Sequence, residues 1–229
     1  MVLENLNVKI KKIKEVAELT KSFILEKPEN FIYEPGQHVF IELSIDDGKP
    51  FSLVSSPHED VLEFATIIRD SSEWKQELNN KQEGNELILS GPYGAFKYED
   101  SEKDIAFIAG GIGITPFIGI LRYLTEKGID TKIVLLYSNK NRKRTAFRKE
   151  LDDLSEKNKN INIIYTMTDD PEYEGNKSRI DKSFIKKHVE HITNKVWYIA
   201  GPPFMVDSFK LVLKELGVEK IKIDSFKGY

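Results

Sequence analysis

Residues 105–117, IAFIAGGIGITPF, constrain this chain more than any other stretch. Ile105 to Ala109 are apolar throughout, the pattern of a strand buried on both faces of a parallel sheet. Gly110, Gly111 and Gly113 then remove side chains from a tight turn. Thr115 and Pro116 open a helix whose apolar face is Phe117, Ile118, Leu121 and Leu124. Thr can cap a helix start, and the N–H that Pro lacks would be unpaired in a first turn anyway. A strand, a glycine turn and a helix N-terminus together offer bare backbone N–H groups and the positive end of a helix dipole to an anion such as phosphate. The same segment also suits the tight turn of an ordinary α/β unit, since its spacing is GGxGxTP and not the GxGxxG of dinucleotide-binding folds.

Composition narrows the setting. At 229 residues the chain is long enough for one large domain or two smaller ones. Hydrophobic residues make up 40% and charged residues 31%, which is ordinary for a globular protein with a real core. A net charge of −3 gives no case for nucleic acid or an anionic membrane as the main partner. There is no cysteine, which excludes disulfides, thiolate metal sites, cysteine-ligated iron–sulfur clusters and a cysteine nucleophile. The first residues lack the apolar core of a signal peptide, and no run reaches the roughly 18 apolar residues of a membrane span. The expectation is a soluble, cytoplasmic protein.

Taken in order, residues 1–100 read as β structure. Period-2 alternation at 8–11, apolar runs at 22–26, 38–44, 50–55 and 62–68, and the run at 86–89 are strand candidates, separated by turn chemistry at 33–37 and at Asp46-Asp47-Gly48. The set is to close at Gly91-Pro92-Tyr93-Gly94. Residues 72–80 interrupt it as a short helix. Such spacing predicts a small antiparallel barrel or sandwich of about six strands. From Asp104 strands and helices alternate: strands at 105–109, 132–137, 161–166, 196–200 and 220–223, helices at 115–127, 145–158, 181–191 and 203–216. That array predicts a five-stranded doubly wound parallel sheet. The expected division is therefore 1–100 and 101–229.

In open α/β sheets ligands sit at the carboxyl ends of the strands. Ser138-Asn139-Lys140 ends the second strand of the array and Gly201-Pro202-Pro203 ends the fourth. An NAD site commonly places a carboxylate at the second position, whereas a 2′-phosphate needs cations. No acid stands between Tyr137 and Glu150, while Lys140, Arg142, Lys143, Arg144, Arg148 and Lys149 are basic. The run tilts the reading toward NADPH over NADH, with a solvated helix start as the alternative. In the first half, Lys49-Pro50-Phe51-Ser52, the segment 66–72 and Lys75 form a polar set. An aromatic and a hydroxyl on one strand can stack on and hydrogen-bond a planar ring, and a Lys beside a serine-capped helix start can hold phosphate.

These residues resemble the ferredoxin–NADP⁺ reductase superfamily of flavin-dependent oxidoreductases, essentially end to end and in the family's order. Phe51 and Ser52 match its Arg-x-Tyr/Phe-Ser flavin motif, with Lys49 at the arginine position. Residues 69–78 (RDSSEWKQEL) resemble its flavin-pyrophosphate segment and 91–96 (GPYGAF) its barrel-closing turn. Residues 108–117 resemble its pyridine-nucleotide glycine motif, 138–151 its adenosine-ribose segment, 200–206 (AGPPFMV) its nicotinamide-side motif, and 224–229 (DSFKGY) its flavin-facing C-terminus.

The resemblance implies an N-terminal Greek-key β-barrel that binds FAD, in preference to FMN, followed by an NAD(P)-binding α/β domain. It implies hydride transfer from NADPH or NADH to the flavin and electrons passed to a separate acceptor, with ferredoxin one candidate. By analogy Ser52, Asp224 and Phe226 are the catalytic candidates, Ser52 at the hydride-accepting ring edge and Phe226 or Tyr229 at the nicotinamide face. Flavin contacts fall on Lys49, Pro50, Phe51, Ser52, Thr66, Ile67, Ile68, Arg69, Ser71, Ser72 and Lys75. Nucleotide contacts fall on Gly110, Gly111, Gly113, Thr115, Pro116, Ser138, Asn139, Lys140, Arg142, Gly201, Pro202, Pro203 and Met205. Two departures stand out. Lys49 turns a bidentate fork into a point charge, which should weaken flavin retention. Ala200 replaces a cysteine common in relatives, and hydride transfer needs no thiol as reactant. Two other roles remain open, an NAD(P)H:flavin reductase using flavin as a diffusible substrate and an electron-transfer subunit of a larger complex. No metal site is expected: His188 and His191 read as a helix-face pair, and Asp152-Asp153 and Asp169-Asp170 as solvated surface acids.

Overall fold

The computed structural model describes residues 2–44 and 47–226. Asp46, in the expected turn, and Tyr229, an expected nucleotide contact, lie outside the described residues. The chain divides into two compact units, Met1–Tyr98 with Thr115–Tyr123, and Glu99–Ile114 with Leu124–Tyr229.

The first unit is a six-stranded antiparallel sheet in the order β4-β3-β6-β1-β2-β5, formed by β1 (Leu3–Ala17), β2 (Thr20–Glu26), β3 (His38–Glu42), β4 (Lys49–Ser52), β5 (Val61–Ile67) and β6 (Glu86–Tyr93). β1 spans 15 residues, far beyond the alternation visible at 8–11. It pairs with β6 through its first half and with β2 through its second, and register shifts between Ile10/Lys12 and Glu15/Ala17 bend it from one partner to the other. An isolated bridge between Leu53 and Phe64, with the Val54 N–H donating to Glu63 O at 2.7 Å, joins the two ends of the sheet into a barrel. Its interior is Val8, Ile10, Phe23, Leu25, Val39, Ile41, Phe51, Leu53, Leu62, Phe64, Leu87 and Leu89. β6 runs on through Tyr93, where the sequence suggested a closing turn. Pro92 is accommodated because it falls at the register shift between the His38↔Tyr93 and Phe40↔Ser90 pairs, where no ladder N–H is required. Helix α1 (Glu73–Asn80) is capped by the Ser72 side chain accepting from the Lys75 N–H.

The second unit is a five-stranded parallel sheet in the order β11-β10-β7-β8-β9, from β7 (Asp104–Gly110), β8 (Lys132–Asn139), β9 (Ile161–Met167), β10 (Val196–Gly201) and β11 (Ile221–Ser225). One face packs Ala106, Ile108, Leu136, Trp197 and Ile199 against helices α4 (Lys182–His188) and α5 (Pro203–Glu215). α2 (Thr115–Lys127) follows β7 after a 3₁₀ turn at Gly111–Ile114, so Ile114 is the N-cap and Thr115 makes no side-chain cap. α3 (Arg148–Lys157) is shorter than expected, because Asn141 caps a separate 3₁₀ turn at Arg142–Arg144 and Phe147 takes a left-handed conformation. α4 stops at His188 and His191 has φ +50°, so the two histidines do not share a helix face. No described helix is long and apolar enough to cross a membrane.

Candidate functional site

In the first unit the expected ligand residues converge on one end of β4 and β5. Lys49 and Pro50 are exposed, whereas Phe51 and Ser52 are buried. The Phe51 ring packs on Phe64 at 4.8 Å and stacks on Trp74 of α1 at 5.5 Å, which makes it part of the barrel core. Lys75, one residue on, reaches back to donate to the hydroxyl of buried Thr66 and holds its ammonium 5.3 Å from the Phe51 ring centroid. Burial, with the Arg69 guanidinium adding repulsion, pushes the Lys75 pKa down to about 8. No carboxylate among the described residues pairs with it. A half-buried cation without a counter-anion, beside a helix start capped by Ser72, is a fitting place for phosphate. The residues present therefore suit the pyrophosphate of a flavin dinucleotide. Arg69 and Ser71 lie at the rim of this segment. Ile67 ends β5, and Ile68 is buried with its N–H bonded to Leu19 O at 2.7 Å.

The barrel also carries a buried charge cluster that the sequence reading missed. Glu63 of β5, 3% exposed, accepts from Arg122 Nη1 at 2.7 Å and from the Ser22 hydroxyl. Arg122 also meets Glu59 at 3.3 Å. Glu63 lies on the face of β5 opposite Leu62 and Phe64, which line the interior, so an acid within a largely apolar strand was the available signal.

In the second unit the three glycines of the turn do different work. A Cβ on Gly113 would lie 2.2 Å from Ala200 O, and one on Gly110 would lie 2.4 Å from Met205 Sδ, so both are bare because neighbouring chain occupies the space. Gly111 differs, with φ +54° and nothing within 4 Å of its Cβ position. It is the one glycine of the three whose missing side chain leaves open room at the strand end. Its carbonyl accepts from the buried Tyr137 hydroxyl at 3.0 Å, and that hydroxyl also donates to Ala146 O at 3.3 Å. Tyr137 thus ties the glycine turn to the loop after β8, a role its place as the last apolar residue of KIVLLY did not reveal. Burial holds its phenol well above the usual range.

At the end of β8, Asn139 is 5% exposed and its Nδ2 has no hydrogen-bond partner. The Asn139 side chain lies by the Tyr137 phenol, next to the strand end that carries Gly111. Ser138 is half-buried alongside, opposite Gly110 in the β7–β8 register. Two of the six basic residues that follow are tied to acids. Arg142 Nε donates to Asp170 Oδ2 at 2.9 Å and its Nη2 to Asp170 Oδ1 at 3.2 Å. Arg148 pairs with Asp152 at 2.9 Å and lies 3.7 Å from the Tyr165 ring centroid, while the Tyr165 hydroxyl donates to Asp152 at 2.8 Å. Asp170, 10% exposed at its side chain, is thus not the solvated acid expected from sequence, whereas Asp152 keeps a half-exposed side chain. Asp170 reaches Arg142 across 28 residues, which no local window registers.

The end of β10 brings several of the expected residues together. Gly201 precedes Pro202 and Pro203 at the start of α5, and Met205 folds back over Gly110 and Gly201. Parallel pairing sets Asp224 beside Ala200, and the Phe226 N–H donates to Gly201 O at 3.0 Å. The C-terminal stretch through Phe226 therefore lies against the GPP turn.

Two family models match in tandem: an FAD-binding domain over residues 5–97 and an oxidoreductase NAD-binding domain over residues 107–210. The chain is 28% identical over 200 residues to NADH-cytochrome b5 reductase 2 of Lodderomyces elongisporus, covering 78% of this chain and 66% of that protein. It is 24% identical over 206 residues to the naphthalene 1,2-dioxygenase system ferredoxin–NAD(P)⁺ reductase component of Pseudomonas putida, covering 88% of this chain and 62% of that one. The chain thus spans less than two thirds of either relative's length. Among solved structures, a ferredoxin NADP⁺ reductase from Neisseria gonorrhoeae with bound FAD and NADP superposes with a TM-score of 0.86 at 20% identity, covering 97% of this chain and 99% of that one. At that identity the likeness is one of fold.

Proposed function

Because this chain belongs to the ferredoxin–NADP⁺ reductase superfamily, with an FAD-binding domain followed by an oxidoreductase NAD-binding domain, we propose that it is an NAD(P)H-dependent flavoprotein reductase. The observation that carries the reading is the pairing of two phosphate-seeking features with those two domains: the uncompensated Lys75 ammonium in the first, and the open Gly111 turn in the second. A bound FAD supplies the redox chemistry, taking a hydride equivalent from nicotinamide and passing electrons onward.

The chain's own residues bind and orient. Lys75, Ser72 and the α1 N-terminus take the flavin pyrophosphate, with Arg69 and Ser71 at its edge and Lys49 as an outer cation. Ser52 and the backbone of 66–68 are assigned to the ring edge. Phe51, fixed between Phe64 and Trp74, holds the wall behind them. In the second unit the backbone N–H groups of the Gly111–Ile114 turn receive the nucleotide pyrophosphate. Asn139, with Ser138 and Lys140, takes the adenosine side, and Gly201–Met205 the nicotinamide side. Asp224, beside Ala200, and Phe226, bonded to Gly201, would stand at the nicotinamide side. The acceptor is a separate one-electron carrier, as cytochrome b5 and a ferredoxin are by name for the two relatives, with a ferredoxin the specific candidate here.

The test is a visible spectrum of protein purified without added flavin, followed by anaerobic NADH and NADPH. A yellow protein that bleaches supports the reading. A colourless protein that oxidises NAD(P)H only with free flavin would replace it with a flavin reductase. No oxidation under either condition would refute it.

A further inference from the structure

We propose that Lys75, before flavin binds, is a site of acylation by acyl phosphates, and that acylation and flavin loading exclude one another. The exclusion rests on the flavin-phosphate reading above, whereas the acylation site stands on Lys75 and its surroundings alone.

An amine attacks an acyl carbon only as the free base, so a lysine reacts where its surroundings cease to favour the ammonium. Three other lysines are withdrawn from solvent, and oxygen acceptors hold each as an ammonium. Lys195 pairs with Asp104. Lys222 meets Glu102 at 2.7 Å and Glu99 at 3.2 Å. Lys27 donates to Pro57 O at 2.7 Å and to Glu59 O at 3.0 Å. Lys75 instead faces the Thr66 hydroxyl from β5 and the Phe51 ring from β4, neither of them charged. A hydroxyl donates as well as accepts, so it serves a neutral amine as readily as an ammonium. The charged groups nearby do not restore the balance. Arg69 repels the positive form. Asp70 accepts from the Gln76 amide at 3.3 Å, Glu77 pairs with Lys81 at 3.5 Å, and Glu73 is exposed in the first turn of α1. Burial and Arg69 together leave this amine with a pKa of about 8.

The same surroundings favour an electrophile that carries phosphate. Ser72 takes up the Lys75 backbone N–H, which leaves the Glu73 and Trp74 N–H groups of the first turn without an intrahelical partner. Arg69 adds a permanent cation, close enough to lower the Lys75 pKa. A phosphoryl group held by the helix start and Arg69 brings an attached acyl carbon to the Lys75 amine. The step is a substitution at that carbon. The Lys75 nitrogen forms a C–N bond as the C–O bond to phosphate breaks. The electron pair of the broken bond leaves on the phosphate oxygen, the amine proton passes to that phosphate, and nothing is oxidised or reduced. The product is an uncharged amide, which removes the cation assigned to the flavin pyrophosphate.

The experiment exposes the full chain, stripped of flavin, to acetyl phosphate and follows each lysine by peptide mass spectrometry, with exposed Lys9 as the reference. At about pH 7.5 the free-base fraction of Lys75 exceeds that of an ordinary lysine roughly two-hundredfold. Lower basicity returns part of that advantage, so Lys75 should acylate about tenfold faster than Lys9. Inorganic phosphate should slow Lys75 and leave Lys9 unchanged, and FAD should do the same. The acylated protein should bind FAD about tenfold more weakly by calorimetry, whereas Lys75→Arg should bind it alike before and after the same treatment. Equal rates at Lys75 and Lys9, or a Lys75 rate indifferent to inorganic phosphate, would overturn the acylation site. Fast acylation of Lys75 in the presence of FAD, giving a product that binds FAD undiminished, would overturn the exclusion and the flavin-phosphate reading with it, while the acylation site stands.

Discussion

The groups we propose to take phosphate are, in the first unit, side chains on and beside a barrel and, in the second, backbone groups left bare at the ends of strands. Lys75 is half-buried against Phe51 and Thr66, and a second buried charge, Glu63, is neutralised by Arg122 and Ser22. The second unit also buries a charge, Lys195 against Asp104, but presents Gly111 as open backbone at a strand end. A buried side-chain charge couples ligand binding to protonation and to stability, because its desolvation is felt whenever no counter-ion is present. A bare backbone turn has no proton to lose, so its binding depends on shape. The two units should therefore answer to different perturbations.

The largest effect belongs to the barrel. Arg122→Met leaves Glu63 buried without its cation and should cost about 4 kcal/mol of unfolding free energy in urea denaturation. Adding Glu63→Gln should recover part of that loss. If the double variant is no more stable than the single one, packing and not charge holds the cluster.

Gly113→Ala is next and lies in the second unit. Its Cβ would meet the backbone carbonyl of Ala200, which cannot swing aside, so a loss of about 3 kcal/mol is expected by the same assay. A neutral result would mean that the turn and β10 can separate freely.

Lys75 gives the pH signature that should distinguish the units. Its pKa in the fold is about 8 against an ordinary 10.5. Between those values the unfolded chain keeps the proton and the fold does not, so apoprotein stability carries a component that rises with pH across this window. FAD affinity has the opposite sign, falling as pH rises past about 8, because phosphate binds the charged form. Lys75→Met should weaken FAD about tenfold at pH 7 and remove both dependences, read by calorimetry and thermal melts. Nucleotide binding in the same pH range should show no such Lys75 component.

Gly111→Ala should have the smallest effect on stability, about 1 kcal/mol from its left-handed backbone. Nucleotide affinity should nonetheless fall, since the new methyl points into the open room at the strand end. A Gly111→Ala protein that binds NADH as tightly as wild type would remove that turn from the site.

Much of the fold was legible because its signals are local. The glycine turn announced the strand-to-helix transition, Ser72 capped the helix that its position predicted, and alternation gave way to strand–helix alternation near Asp104. Boundaries slipped where long-range pairing overrode local patterning. β1 runs through 15 residues because two different partners support its halves, and β6 passes Pro92 because Pro92 falls within the register shift, where no ladder N–H is required. Asp224 lies beside Ala200 and the Phe226 N–H reaches Gly201 O, through pairing that their tail position alone could not establish.

What the sequence determined by itself was the order of the elements, the two kinds of sheet and the segments that carry chemistry, since each depends on residues close together in the chain. Only the tertiary structure decided which of those residues are available. Three glycines that read alike separate into two required by packing and one facing open space. A run of six cations loses Arg142 and Arg148 to acids, Arg142 to a partner 28 residues away. An acid in β5 that looked incidental proves to be the buried partner of an arginine 59 residues on. Pairing energies of this kind depend on distance and desolvation in space, and a linear pattern encodes neither.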